Sequence, residues 1–389
     1  MVKEECIQTQ ATKTIVVVGA GGAGLSIVGS ILSNPSTSDC QIIWIDPKFG
    51  EGGRLTNFLR VPSNTKVDLF VRYALDRNVF VEAWEKCDCK EMTSLQDLKD
   101  LPSEKGCELG FAVKMVQQLS VNLCMTFPDK IKSIKSHCSS IKLGTDGSIQ
   151  VTVKGGESFL ASKVILATGC YPRPSPFFQD KSLDPEPFMN YPIIQNAAQE
   201  VAGKTVAVIG SSHSAILILR NLISTQDPNL RPKKVINFYR DPLKFAEYLP
   251  DGTIKYDNTG LKGLVADWAR EYLLNGSEVC CDGLLERVHI PSGKIKEEYE
   301  VPGIDSYIWA IGYVRNTLPE IIKDDQTLTI DEHGQFGELI DSSGQMIQGL
   351  YGIGIAFPER VKVEEDGIEN AVGLWKFCEY SKRIVNAFE

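Results

Sequence analysis

The chain has 389 residues and carries 41 basic and 50 acidic side chains, which gives a formal net charge of −9. Its length predicts two or three domains, and 43% hydrophobic with 23% charged residues exclude an intrinsically disordered chain. An acidic chain lacks the broad positive field that phosphate backbones attract, so nucleic acid is not expected as a partner.

The start of the chain shows neither a signal-peptide pattern nor an apolar run of membrane-spanning length. This predicts a cytoplasmic protein without a membrane partner. Eleven cysteines, an odd number, are typical of reduced thiols rather than of a disulfide framework. None of the four histidines pairs with cysteine at zinc-ligand spacing, so no metal site is predicted.

The first elements predict a β-turn-α-β unit. A β-branched strand over 14–18 stops at a glycine, a helical pattern runs over 25–32, and a strand over 41–45 follows. Such strands are buried on both faces of a parallel sheet. Residues 66–125 then alternate helical patterns with loops, and short strands over 131–153 predict a small antiparallel meander.

The opening pattern recurs in the second half of the chain. The predicted elements there are a strand over 163–167, a proline-rich connector over 172–187, a strand over 205–209, a helix to about Leu222, strands over 235–238, 307–310 and 349–353, a helix over 261–274 capped by Asn258 or Thr259, and a long helix from about Glu369. Recurrence of the whole unit indicates a second nucleotide-binding unit.

The predicted fold is therefore α/β, with two Rossmann-like, three-layer ββα dinucleotide-binding domains, one inserted into the other. Residues 1–195, with a helical insertion at about 66–125, and residues 301–389 form the FAD domain. Residues 196–300 form the inserted NAD(P)H domain.

The first glycine turn has the spacing G-x-G-x-x-G, with glycines at Gly19, Gly21, Gly22 and Gly24. In this pattern the first glycine permits a sharp turn, the second lets the backbone approach a pyrophosphate, and the third lets helix and strand pack closely. Asp46 ends the second strand, where a carboxylate accepts hydrogen bonds from ribose hydroxyls. We expect all five to bind a dinucleotide.

The second turn keeps Gly210 but places Ser212 and Ala215 at the second and third glycine positions. His213, in the first helical turn, is either a cofactor contact or an ordinary residue of that turn. The following strand ends at Arg240 instead of an acid, which favours the 2′-phosphate of NADPH over NADH. Three alternatives remain open: Lys244 is the contact, Arg231 is the contact, or Arg240 is a plain surface charge.

Two nucleotide units in one chain indicate FAD in the first and a nicotinamide donor in the second, NADPH or else NADH. Such a protein acts on a small-molecule substrate. The sequence leaves the substrate, the electron acceptor and the oligomeric state open, a homodimer included.

The pair of turns, the strand end at Thr168-Gly169 and the nested order resemble the two-dinucleotide-binding-domain flavoproteins. That superfamily includes thioredoxin-reductase-like enzymes and class B flavin monooxygenases. Residues 305–313 are similar to the D-x3-(L/F)-A-T-G-Y signature of the monooxygenases, with Gly312 as its glycine and departures at Trp309 and Ile311. The resemblance implies a monooxygenase-like oxidoreductase.

Two further segments carry the same resemblance. Residues 52–55 and 63–66 are similar to the G-G-x-W and N-(S/T)-x-K segments of flavin-containing monooxygenases, which implies a cofactor contact for Arg54 and places Asn64 beside the flavin ring as the catalytic candidate. The alternative is that residues 63–65 simply make a turn. Gly354 lies where disulfide reductases carry G-D, with Ile355 in place of the aspartate, and Ile368 stands where a helix start meets the flavin edge in relatives.

Two other functions remain as alternatives. A disulfide-type reductase would need a cysteine pair, for which Cys87 with Cys89 and Cys280 with Cys281 are the candidates. Cys170 follows Thr168-Gly169, but a single thiol cannot complete a dithiol cycle. A catalytically silent FAD-bound sensor or scaffold is the other alternative, because the second turn has lost a glycine and the ribityl aspartate is missing.

Overall fold

A computed structural model describes residues 13–86, 93–250, 254–274, 279–281, 283–363 and 367–388. The strands are β1 Thr14–Val18, β2 Gln41–Ile45, β3 Pro62–Lys66, β4 Gly106–Glu108, β5 Ile131–Ile134, β6 Cys138–Leu143, β7 Ile149–Val153, β8 Ser158–Ala161, β9 Lys163–Leu166, β10 Cys170–Pro172, β11 Ser182–Leu183, β12 Thr205–Ile209, β13 Lys234–Tyr239, β14 Glu247–Tyr248, β15 Ile254–Lys255, β16 Val279–Cys280, β17 Leu285–His289, β18 Ser306–Trp309, β19 Tyr313–Arg315, β20 Glu320–Lys323, β21 Gln326–Thr327, β22 Ile330–His333, β23 Glu338–Asp341, β24 Met346–Gly352, β25 Glu359–Val363 and β26 Gly367–Ala371. The α-helices are α1 Gly22–Ser33, α2 Val67–Leu75, α3 Asn78–Glu85, α4 Thr93–Lys99, α5 Leu109–Thr126, α6 Glu186–Met189, α7 Gln195–Val201, α8 His213–Ile223, α9 Gly263–Leu273 and α10 Leu374–Asn386.

The first sheet has the strand order β22-β23-β24-β9-β1-β2-β5, and its strands from β24 to β5 are parallel. Alternate residues of β1 and β2 point to opposite faces because side chains alternate along a strand. Val17 and Trp44 pack against the helices, whereas Val16 and Ile43 pack against a five-stranded meander, β21-β20-β6-β7-β8. The three predicted layers are therefore present.

The second sheet has the order β11-β18-β12-β13-β17-β16. One face packs on α8 and α9, and the other is covered by an aromatic cluster that includes Phe177 and Tyr299. Of the helices in the described ranges, none is long and apolar enough to cross a membrane.

Two antiparallel linking strands, β10 and β19, connect the two units. Because β11 and β18 both lie in the second sheet, the inserted unit extends from one linking strand to the other. This is wider than the expected 196–300. The proline-rich connector contains the two-residue strand β11, which the sequence does not predict. Residues 305–313, which we assigned to the FAD domain from the sequence, contain β18, an inner strand of the second sheet.

The expected start of the C-terminal helix near Glu369 is wrong. Residues 367–371 form β26, a hairpin strand paired with β25, and α10 begins only at Leu374. The physical reason is that burial alternates from residue to residue, which is typical of a strand and not of a helix. Ile368 is exposed, Glu369 is buried, and Ala371, two residues further on, is buried again.

Candidate functional site: two glycine turns

The first glycine turn is shaped by contacts with the protein's own backbone. Gly19 has φ +113°, and a Cβ there would lie 2.2 Å from the carbonyl oxygen of Ala167. A Cβ at Gly24 would lie 1.9 Å from the carbonyl oxygen of Gly19. These two glycines are therefore required by packing alone.

Gly21 is different, because its φ of −80° is open to any residue and a Cβ there would meet Gly53 Cα at an ordinary 3.8 Å. Within the described residues, no side chain caps the start of α1 at Gly21. Uncapped amides at a helix start, together with the positive end of the helix dipole, form an anion site.

Two buried side chains hold the carbonyl groups of this turn. Trp44 Nε1 donates to the carbonyl oxygen of Gly19 over 2.8 Å, and the Tyr73 hydroxyl donates to that of Gly22 over 2.7 Å. The amides of Gly19 and Ala20 donate to the Ile45 carbonyl and to Asp46. The uncapped amides at the start of α1 are therefore the ones left for a ligand.

Asp46 lies directly against the first turn. Its Oδ2 accepts from the amide of Ala20 and its Oδ1 from the amide of Lys48, both over 2.7 Å. Each carboxylate oxygen can accept more than one hydrogen bond, so a ribose hydroxyl still finds an acceptor here.

The neighbouring strand end contains an unsatisfied group. Thr168 Oγ1 is buried and has no hydrogen-bond partner among the described residues. Gly169 follows with φ +72°, and Asn316 Nδ2 donates to the carbonyl oxygen of Thr168 over 2.7 Å. An unpaired buried hydroxyl costs about 1–3 kcal/mol, and a bound polar ligand removes that cost.

The second turn repeats the first in its hydrogen bonds. Gly210 has φ +129°, its amide donates to the carbonyl oxygen of Phe238 over 2.9 Å, and a Cβ there would lie 2.6 Å from that of Ala310. Asn237 Nδ2 donates to the carbonyl oxygen of Gly210 over 2.9 Å. Asn237 pairs with Val208, as Trp44 pairs with Val17, so the two donors occupy equivalent positions.

The start of α8 is uncapped by any side chain in the part of the chain that the structure describes, and Ser212 there is exposed. His213 Nδ1 is buried without a partner among the described residues. Burial lowers the pKa of His213 to about 4, and the ammonium of Lys262 adds to the effect. The imidazole is therefore neutral at neutral pH. Ala215 is fully buried beneath the turn.

Each turn lies beside the chain that leads into one of the linking strands. Ala167 is three residues before β10, and Ala310 is three residues before β19, so each turn contacts the chain that enters this two-stranded sheet. Gly312 has φ +94°, and its carbonyl accepts from the amide of Arg173 over 2.9 Å. The carboxyl ends of both parallel sheets therefore point toward one shared region.

No protein-family model matches the chain. Solved flavoproteins share its fold. The ornithine hydroxylase PvdA of Pseudomonas aeruginosa is 12% identical, with 97% of this chain and 99% of that chain covered and a TM-score of 0.61. The ornithine N-hydroxylase of Kutzneria sp. 744, whose structure holds reduced FAD, NADP+ and L-ornithine, is 14% identical over 97% and 99% of the two chains, with a TM-score of 0.58.

A curated relative decides the family. The monooxygenase AgnR1 of Paecilomyces divaricatus is 36% identical over 393 residues, which cover 95% of this chain and 96% of the relative. The chain belongs to the same family of monooxygenases as this relative. The chain is therefore an oxidoreductase of monooxygenase type, as the resemblance implied.

In this monooxygenase, Arg54 makes a salt bridge, and its side chain is 38% exposed. Its Nε and Nη2 donate to the two carboxylate oxygens of Glu186, each over 2.8 Å, and Asn57 Nδ2 donates to the same carboxylate over 2.8 Å. The side chain of Glu186 is only 3% exposed. A buried carboxylate needs such partners, so Arg54 has a structural role whether or not it also contacts a cofactor.

Asn64 is exposed on β3, and its Oδ1 accepts from Thr65 Oγ1 over 3.4 Å. The alternative interpretation of residues 63–65 as a turn is wrong, because they lie in the strand β3. The catalytic assignment of Asn64 stays a prediction.

Three basic residues are candidates for contact with the 2′-phosphate of NADPH. Arg240 is exposed at the carboxyl end of β13, where its guanidinium donates to Asp241 over 2.7 and 3.0 Å. Arg231 precedes β13 and donates to the carbonyl of Thr225, at the opposite end of the strand. Lys244 lies over the ring of Tyr256, 4.2 Å from its centroid. Because Arg240 lies at the carboxyl end of β13, its position favours it as the candidate for this contact.

The two cofactor contacts predicted near the C-terminus, Gly354 and Ile368, lie in different surroundings. Gly354 has φ +85°, and a Cβ there would lie 2.6 Å from Ala23 Cβ, so Gly354 packs on the start of α1. The placement of Ile368 at a helix start is wrong, since it is 68% exposed on β26. The helix start that contacts the glycine turn is at Leu374, whose Cδ2 a Cβ on Gly22 would meet at 2.1 Å.

The cysteine candidates remain predictions. Cys87 and Cys89 lie outside the described residues, as does the side chain of Cys280. Cys170 is a free, buried thiol, and burial raises its pKa to about 11, so it stays protonated at neutral pH.

Sequence reasoning missed the side chains that hold the two turns. Trp44 and Asn237 both occupy the fourth position of their strands, β2 and β13. Because one is a tryptophan and the other an asparagine, the sequence does not show that they are equivalent, and only the strand register does. A signal was present in the parallel segments Ala167-Thr-Gly169 and Ala310-Ile-Gly312, which both end in a positive-φ glycine.

Proposed function

We propose that the chain is an FAD-dependent monooxygenase that is reduced by NADPH and acts on a small molecule. The duplicated hydrogen bonding of the two glycine turns carries this proposal, because each turn presents uncapped helix amides at the carboxyl end of a parallel sheet. FAD supplies a two-electron acceptor that also reacts with oxygen.

The residues present fit these groups. For FAD, the amides of 21–24 would hold the pyrophosphate, Asp46 the ribose, and the unpaired Thr168 hydroxyl a polar atom of the cofactor. For NADPH, the amides at Ser212 and His213 would hold the pyrophosphate, and Arg240 the 2′-phosphate. The neutral His213 would then act through hydrogen bonding instead of charge.

The absorption spectrum of the purified protein tests the proposal under anaerobic conditions, before and after addition of NADPH or NADH. We expect a flavin spectrum that NADPH bleaches, and NADPH consumption coupled to a hydroxylated product once oxygen and substrate are supplied. A yellow protein that neither nucleotide bleaches would contradict the enzymatic role.

The choice of donor has its own test. Arg240→Ser should raise the KM for NADPH about tenfold, since a charge-assisted phosphate contact contributes about 1.5 kcal/mol or more, and should leave the KM for NADH within about twofold. Arg231→Ser is the matched control, because Arg231 lies at the other end of the strand. Equal changes for both nucleotides would show that Arg240 does not read the 2′-phosphate.

A further inference from the structure

A partly buried polar cluster, centred on one buried carboxylate, joins the two units on a side other than the linking strands. This interdomain clasp consists of Asp257, Asn258, Thr259 and Lys262 from the inserted unit with Glu369 and Lys376 from the C-terminal part of the first unit. The sequence had suggested Asn258 or Thr259 as the cap of the following helix. That interpretation is wrong, since α9 begins at Gly263 with Lys262 as its N-cap.

Glu369 is the centre of the clasp. It is 5% exposed, and its carboxylate accepts three hydrogen bonds from the other unit: from Thr259 Oγ1 over 2.7 Å, from Asn258 Nδ2 over 2.9 Å and from the Asn258 amide over 3.2 Å. Burial opposes the ionised form, but these hydrogen bonds hold the pKa of Glu369 below its ordinary value. The clasp is therefore charged at neutral pH.

Asp257 makes the second half of the clasp. Its carboxylate accepts from Lys262 of its own unit and from Lys376 on α10 of the first unit. Lys376 also donates to Asn258 Oδ1, so one ammonium contacts two consecutive residues of the inserted unit. α10 begins two residues before Lys376, at the Leu374 side chain that packs on the first glycine turn.

The clasp thus connects the immediate surroundings of both turns. Lys376 lies two residues after Leu374, which packs on the first turn. Lys262 is the N-cap of α9, which packs in one core cluster with α8, and α8 begins at His213 in the second turn. We propose that Glu369 is a positioning residue, which through Asn258 and Thr259 fixes the second turn at the distance from the first that hydride transfer requires. This inference rests on the proposed function, in which bound NADPH would supply a hydride, with both of its electrons, and bound FAD would accept it.

Glu359 provides a matched control. It lies in the same hairpin as Glu369 and also pairs with a cation, Arg383 of α10, over 2.6 Å, but that pair stays within the first unit. Replacing either glutamate by glutamine preserves size and removes charge. Only Glu369→Gln weakens a contact between the units.

The experiment compares wild type, Glu369→Gln, Thr259→Val and Glu359→Gln in two measurements. The first is anaerobic stopped-flow reduction of the FAD-loaded enzyme by NADPH, with dithionite as a chemical reductant that needs no nucleotide. The second is hydrogen exchange of segment 254–262 in the cofactor-free protein, with the melting temperature as a check on folding.

Glu369→Gln should slow reduction by NADPH about tenfold or more, because displacement of the reacting groups by about an ångström has effects of this size. The Kd for NADPH and the reduction by dithionite should stay within about twofold, and segment 254–262 should exchange faster. Thr259→Val should act in the same direction but less, since Asn258 still donates. Glu359→Gln should change none of these quantities.

Two outcomes overturn the inference in distinguishable ways. If wild type is reduced by NADPH and Glu369→Gln reduces equally fast while segment 254–262 exchanges faster, the clasp is structural and the positioning role is wrong. If neither nucleotide reduces the wild-type flavin, the proposed function itself fails and the positioning role fails with it.

Discussion

The two glycine turns perform the same local task with different residues. In the first, a Cβ at Gly19 or Gly24 would lie 2.2 or 1.9 Å from a carbonyl oxygen, and Trp44 and Asp46 hydrogen-bond to the turn. In the second, Ala215 fits beneath the turn. The comparison teaches that the backbone hydrogen bonds are the common feature, and that the third glycine is required only where the helix lies closest.

Gly24→Ala should have the largest effect among these changes. The added methyl would collide with backbone that cannot move, so we expect a loss of about 3 kcal/mol in the free energy of unfolding. Ala215→Gly, the reciprocal change in the second turn, should cost only about 1 kcal/mol through helix propensity. Urea denaturation of both variants measures the difference, and equal losses would remove the distinction between the turns.

Removing the carbonyl donors should have the next largest effect. Trp44→Phe and Asn237→Ala each leave a carbonyl of the turn without its side-chain donor, at a cost of about 1–3 kcal/mol in unfolding free energy. The turns are separate, so Trp44→Phe should lower FAD content and Asn237→Ala should raise the KM for NADPH. If either variant affects both nucleotides equally, the assignment of one nucleotide to each turn is wrong.

Gly21→Ala distinguishes an effect on cofactor binding from an effect on folding. The protein itself accommodates a methyl group there, so the melting temperature of the cofactor-free protein should not change. FAD affinity should fall about tenfold, equivalent to about 1.4 kcal/mol, because the second glycine lets the backbone approach the pyrophosphate. Ser212→Gly is the matched change in the second turn and should not weaken NADPH binding. Unchanged FAD affinity in Gly21→Ala would place the pyrophosphate elsewhere.

His213→Gln should have the smallest effect at neutral pH. The pKa of His213 is about 4 in the folded state, below its ordinary value of 6.5, so the unfolded chain binds more protons between these values. Wild-type stability should therefore fall as pH decreases from 6.5 to 4, and the variant should lack that part of the loss. Denaturation midpoints across this range, with Lys262 unchanged in both proteins, provide the measurement; parallel profiles would contradict the burial of a neutral imidazole.

Much of the fold follows from the sequence because its signals are local. Apolar runs rich in β-branched residues and followed within three residues by glycine predict β1, β9 and β12 to within one residue, since buried parallel strands are continuous apolar runs. The boundaries of the inserted unit and the hairpin β25–β26 did not follow. Their strands are short, and the partners that stabilise them lie far along the chain.

The two turns, their order and the family to which the glycine pattern belongs can be predicted from residue types, because a positive φ and a close backbone approach admit few of them. The side chains that hold these turns and join the units, namely Trp44, Asn237 and Glu369, become evident only in the folded chain. Their partners are brought near by strand register and by packing between units. The hydrogen bond from Asn258 to Glu369 joins residues 111 positions apart, and it produces no periodic pattern of residue types in either segment.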